Sequence, residues 1–138
     1  MVSSKRNKFL KKHENDNKDS NKGVHSLYPK FSFEFNVSIG KKSVENGQKE
    51  DRLAVISKIS YLSKLTWREI SNLPREQGFE KIEKTSFKSI AGIPNKFKDE
   101  KQIDVFRLPG GRGRLIGFID AEIFYIVWVD TDFDMYAH

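Results

Sequence analysis

Three apolar segments between residues 103 and 129, separated by turn-forming residues, constrain the fold more than any other part of the chain. Ile103-Asp-Val-Phe-Arg-Leu108 and Arg114-Leu-Ile-Gly-Phe-Ile119 flank the turn Pro109-Gly-Gly-Arg-Gly113. Ile123-Phe-Tyr-Ile-Val-Trp-Val129 follows a second, tight turn at Asp120-Ala121. Glycine and proline punctuate strands because they supply the backbone angles that turns demand. The spacing therefore predicts a three-stranded antiparallel meander. Its last strand is apolar without interruption, which suits a central position covered on both faces.

Upstream, Phe31-Ser-Phe-Glu-Phe-Asn-Val37 alternates apolar and polar residues with period two. That pattern predicts a half-buried strand with Phe31, Phe33, Phe35 and Val37 on one face. Residues 38–47 read as a loop. In residues 49–64, Leu53, Ile56, Ile59 and Leu62 recur every third position and Val55 widens the stripe, as in an amphipathic helix. Glu50 and Asp51 suit its positive first turn. Thr66-Trp67-Arg68-Glu69 has the spacing of a capping box, and Leu65 and Ile70 that of a hydrophobic staple. A second helix should thus open at Trp67 and stop near Pro74. A short strand is expected near residues 79–83, followed by loop, since Gly92 and Pro94 break any period. The expected fold is α+β, a twisted and mainly antiparallel sheet (strand, two helices, three-stranded meander) with the helical pair packed on one face.

The chain contains no cysteine, which excludes disulfides, thiolate metal sites and a cysteine nucleophile. No run approaches the ~18 apolar residues of a membrane span, and residues 1–22 lack the apolar core of a signal peptide. A cytoplasmic location is the expectation, with no membrane partner. The net charge of +6 is uneven: residues 1–30 hold eight Lys/Arg and three Asp/Glu, so the rest contributes only +1. Residues 1–26 are rich in Lys, Asn, Ser and Asp and should form a disordered basic tail. Residues 27–138 should form the folded domain.

Several residues carry possible chemistry. Strand alternation sets Arg107 on a face with Ile103 and Val105, and Arg114 with Ile116 and Phe118, both near the turn end of their hairpin. An arginine among apolar neighbours is unusual for a solvated position, and its planar fork bonds two phosphate oxygens at once. Arg112 lies in the glycine-rich turn, which reads as a plain, mobile hairpin turn or a phosphate cradle. Asp130, Asp132 and Asp134 have the opening spacing of a calcium loop, but Met135 stands where that loop needs glycine, so no metal is expected. They read instead as an exposed acidic surface. Trp67 and Trp128 read as core residues.

The order of elements over about residues 31–136 resembles the RelE/ParE toxin superfamily. The resemblance rests on Arg107 in VFRL, Arg114 in RLIGF, the apolar IFYIVWV and the ending DTDFDMY. It implies a toxin of a toxin–antitoxin system, a metal-independent endoribonuclease cleaving mRNA without a cofactor. Its partners would be RNA, on the ribosome or off it, and a protein antitoxin. By the same resemblance, Arg107 and Arg114 would stabilise charge on the phosphate, and Tyr136 would position or activate the attacking 2′-hydroxyl. Lys96, Lys98, Lys101 and Arg112 would hold other phosphates. Members of the RelE-like subgroup often carry a histidine where Phe133 stands, and His138 is the available substitute. Two alternatives stay open: a non-catalytic nucleic-acid-binding module, and a ParE-like toxin acting on a protein target such as gyrase.

Overall fold

The structure is a computed structural model that describes residues 23–38 and 40–137. The elements are β1 (Lys30–Ser32), α1 (Lys49–Leu62), α2 (Trp67–Ser71), β2 (Phe79–Glu83), β3 (Gln102–Arg107), β4 (Arg114–Asp120) and β5 (Ile123–Asp130). They form one five-stranded sheet in the order β1-β5-β4-β3-β2. Strands β2 to β5 run as an antiparallel meander, and β1 adds to β5 in parallel. The fold is mixed α+β, as the residue pattern predicts. No helix among the described residues is long and apolar enough to cross a membrane.

The sheet separates two apolar cores. On one side Val55, Leu62, Trp67 and Ile70 of the helices meet Phe106, Leu115, Phe124 and Ile126. On the other, Ile103, Val105, Ile116, Phe118 and Trp128 are roofed by irregular chain carrying Phe35, Phe87, Ile93 and Phe97. Strand β5 lies between the two, and all its residues are buried. Burial of both faces is the physical reason for its uninterrupted apolar run. A bulge lies where β4 shifts register between Ile116 and Gly117. Consecutive Val127 and Trp128 therefore both reach the second core. Gly117 is required there, because a Cβ would run into the Tyr125 carbonyl oxygen. The turn after β4 falls at Ala121-Glu122, one residue later than expected, with Ala121 at φ 55°.

Two expectations are corrected. The first strand does not continue to Val37. A turn closed by the Asn36 amide donating to the Phe33 carbonyl ends it after Ser32. The chain then crosses the edge of β5, so Phe31 joins the helix-side core while Phe35 and Val37 join the other. Alternation alone does not show such a crossing. The second correction concerns α1. Its buried face is Ala54, Val55, Lys58 and Leu62, while Leu53 and Ile56 are 55% and 63% exposed. Apolar residues lie around most of this helix, and the sheet selects the narrower face. The Lys58 ammonium crosses that face to donate to the Gln77 carbonyl at 2.7 Å, and burial lowers its pKa to about 8.

The helix start at Trp67 is as the sequence predicts. Thr66 Oγ1 accepts from the Glu69 amide, and the Glu69 carboxylate accepts from the Thr66 amide at 3.0 Å. Residues 23–26, grouped with the tail by composition, pack here: Val24 lies against the core, and the His25 carbonyl accepts from the Arg68 amide. The remainder of that tail, residues 1–22, lies outside the described residues.

Urea denaturation separates the two faces of α1. Leu62→Ala removes a fully buried side chain and should cost about 2–5 kcal/mol. Ile56→Ala should stay within about 0.5 kcal/mol; equal losses would contradict the helix orientation.

Candidate functional site

Arg107 ends β3 and Arg114 begins β4, and the two are direct cross-strand partners. Their side chains lie on the face opposite the helices, since Phe106, Leu108 and Leu115 beside them point into the helix-side core. Like charges directly opposite one another on a sheet repel. The nearest carboxylates are engaged elsewhere: Asp130, opposite Arg114, is held by Lys42 and two backbone amides. Glu80 reaches Arg107 only at 4.0 Å and is shared with Arg75 at 3.0 Å. The Arg114 guanidinium lies 5.0 Å from the Phe133 ring centre. The Nε atoms of both arginines are buried without a hydrogen-bond partner among the described residues. Buried unpaired donors are uncommon in folded proteins. Of the outer nitrogens, Arg114 Nη1 donates to the Gly113 carbonyl at 3.1 Å, and the Arg107 side chain is 30% exposed, which makes the pair a candidate anion site.

The segment after β5 brings Tyr136 to this pair. Asp130 is fully buried and is the cross-strand partner of Arg114. Its Oδ2 accepts from the Met135 amide at 3.1 Å and its Oδ1 from the Asp132 amide at 3.3 Å. These bonds fold residues 131–135 into a tight turn with Phe133 at φ 56°, an uncommon backbone state for a bulky side chain. The chain then returns across the sheet. Met135 accepts at its carbonyl from the Lys88 amide, and Tyr136 pairs with Phe87, their rings 5.0 Å apart. Gly113 lets this turn close, since a Cβ there would strike the Asp130 carbonyl oxygen.

Tyr136 is buried, and the Arg114 guanidinium hydrogen-bonds its hydroxyl. Burial raises the phenol's pKa, the Arg114 bond and charge pull it back, Glu80 pushes it up, and the net shift is upward. At neutral pH the phenol keeps its proton and can donate it. Arg107, Arg114 and Tyr136 therefore come together, a convergence that their sequence positions left open.

The other expected residues do not join them. Lys96 pairs with Asp120 at 2.9 Å and Lys101 precedes β3, both at the end of the sheet opposite the arginines. The length of β3 puts them about 20 Å away. Lys98 lies in the same distant loop, its carbonyl accepting from Lys84. Arg112, expected to be mobile, pairs with Asp51 of α1 at 3.5 Å. His138 lies outside the described residues. The Asp130, Asp132 and Asp134 cluster is not simply an exposed acidic surface. Lys42 occupies its centre, its ammonium 2.8 Å from Asp130 and 3.8 Å from Asp132. Burial alone would lower the Lys42 pKa, but the bonds to Asp130 and Asp134 outweigh it and raise it. Sequence reading missed Glu80, Lys42 and the structural role of Asp130. For Glu80 a signal existed: strand alternation in β2 sets it on the arginine face, opposite Val105.

No family model, no curated protein and no solved structure matches the chain.

Two measurements check this geometry. Asp130→Ala strips the buried partner from Lys42 and should cost about 3 kcal/mol, with loss of hydrogen-exchange protection at the Met135 amide. Retained protection would mean that Asp130 does not hold the turn. Absorbance titration should find Tyr136 ionising above the ordinary 10.0, and higher still in Arg114→Ala. The raised value carries a sign for stability: Tyr136 contributes below pH 10 and loses that contribution as pH climbs through its folded pKa.

Proposed function

We propose that the chain is a RelE-like endoribonuclease that cleaves mRNA, acts in the cytoplasm and is held in check by a protein antitoxin. One observation carries the reading: two facing, half-buried arginines beside a tyrosine that keeps its proton at neutral pH. RNA supplies its own nucleophile, so the protein needs three things. It needs charge on the non-bridging oxygens, a base for the 2′-hydroxyl and an acid for the departing oxygen.

Arg107 and Arg114 suit the first role. The Glu80 carboxylate faces both Arg107 and Tyr136 and suits the second. Tyr136 suits the third rather than the 2′-hydroxyl-activating role that the resemblance implies, because it holds its proton at neutral pH and the Arg114 charge beside it steadies the phenolate left when that proton departs. In the step, the 2′-oxygen bonds to the adjacent phosphorus and its proton passes to Glu80. The bond to the 5′-oxygen breaks, and that oxygen takes the proton of Tyr136. The products are a 2′,3′-cyclic phosphate and a 5′-hydroxyl end. No step calls for a metal or an organic cofactor. This division of labour needs no histidine at position 133, where a phenylalanine lies against Arg114 instead.

A second reading, a module that binds RNA without cutting it, uses the same anion site. It is favoured by the loose contact of Glu80 with Arg107.

Cleavage of a single-stranded RNA in EDTA tests the first reading. Arg107→Ala and Arg114→Ala should each lower the rate by about 10²–10³, and Glu80→Gln and Tyr136→Phe should lower kcat more than they raise KM. Cyclic-phosphate ends should appear, and induced expression should arrest growth. Arrest that survives the double arginine change would point to a protein target. Binding without cleavage would leave the module.

A further inference from the structure

A cavity of about 640 Å³ opens on the arginine face between two roofing segments, residues 35–38 and 89–92. Its size falls within the roughly 300–1,000 Å³ of small-molecule sites. Phe35 and Val37 form one wall, Trp128 and Met135 the floor, and Lys42 and Asp134 the rim. Gly92 pins the two segments together at one point. It sits at φ 86°, and a Cβ there would come 2.6 Å from Val37 Cγ1. The approach of Gly92 to the Val37 side chain and the buried floor residues thus set the outline of the cavity. Trp128 donates its indole N–H to the Ala91 carbonyl at 2.9 Å, so the floor also fixes the second segment.

The cavity's position relative to the anion site is what gives it meaning. Asp134 and Met135 line it, and the next residue is Tyr136. Trp128 lies two residues before Asp130, whose cross-strand partner is Arg114. One pleat along the strand and one strand across come to about 8 Å. That is the span of a single nucleotide, from its phosphate to its base. Apolar walls suit the faces of a planar ring. Lys42 occupies Oδ1 of the Asp134 carboxylate at the rim, and Oδ2 is of the kind that accepts from a base's N–H groups when acidic side chains read base edges. Single-stranded RNA is generally recognised by splaying one base into such a slot.

We propose that this cavity takes one unpaired nucleobase of a strand whose phosphate lies on Arg107 and Arg114. The inference rests on the nucleic-acid reading above, but it does not require cleavage. The cavity selects the nucleotide, and the arginine pair fixes the scissile phosphate beside it.

The chain has two tryptophans, so full-length Trp67→Phe leaves Trp128 as a single fluorescent reporter in the cavity floor. This protein is titrated with the four nucleoside 3′-monophosphates and with ribose 5-phosphate. Nucleotides should change Trp128 emission saturably, with at least a tenfold preference over ribose 5-phosphate and a ranking among bases. Ala91→Phe, which fills the exposed mouth, should remove that preference, while circular dichroism reports an intact fold. Arg114→Ala should weaken all nucleotides alike. If nucleotides bind no better than ribose 5-phosphate, the proposal is overturned. It is equally overturned if Ala91→Phe leaves the base ranking unchanged. Base-selective binding without any cleavage supports the cavity and removes the nuclease. Cleavage with the same base preference in Ala91→Phe leaves the nuclease and removes the cavity.

Discussion

The arrangement around the arginines depends on one buried carboxylate. Asp130 ends the central strand with no exposure to solvent, and both its oxygens are occupied. An isolated buried carboxylate costs several kcal/mol, so it persists only where charge and donors meet it. Here Lys42 supplies the charge, and two backbone amides of the following turn supply the donors. The same bonds reverse the chain and carry Tyr136 back over the sheet to Phe87. Asp130 thus acts through the turn it holds: it positions Tyr136.

The two faces of the sheet are covered differently. The helix side is a conventional apolar core in which Trp67 and Leu62 meet the aromatic residues of β3 and β5. The other side carries irregular cover, the two arginines and the cavity. Irregular chain can leave gaps where a helix would fill them. Setting two arginines opposite one another sacrifices stability locally, and the rigid strand pair fixes where their charge lies.

Local signals were the ones the sequence displayed plainly. The capping box at Thr66–Glu69 and the turns of the meander are written in adjacent residues, and the structure follows them. Strand period set Arg107 and Arg114 each on a face of its own strand, but the meeting of both with Tyr136 depends on the turn that Asp130 holds and was not legible. Long-range choices were not legible. Which side of α1 meets the sheet is decided by the sheet, and Leu53 and Ile56 stay exposed although their spacing fits a buried stripe. Phe31 and Phe35 end on opposite faces because the chain crosses an edge set by β5. The lysines Lys96, Lys98 and Lys101 looked close to the arginines in sequence, but a strand's length separates them. Asp130 looked like one acid among three, because burial depends on Lys42, 88 positions earlier.

The parallel pairing of β1 with β5 has a consequence for the order of events in folding. Lys30 pairs with Ile123, so 93 positions (123 − 30) separate the two partners. Such a contact closes a long loop, and its entropy must be offset before the pairing yields anything in return. The antiparallel meander, whose partners lie near one another, can assemble first. Strand β1 then docks last, drawing residues 35–38 over the second face and completing the wall of the cavity. A nascent chain would therefore carry its arginine pair on a formed hairpin before it owned a finished pocket.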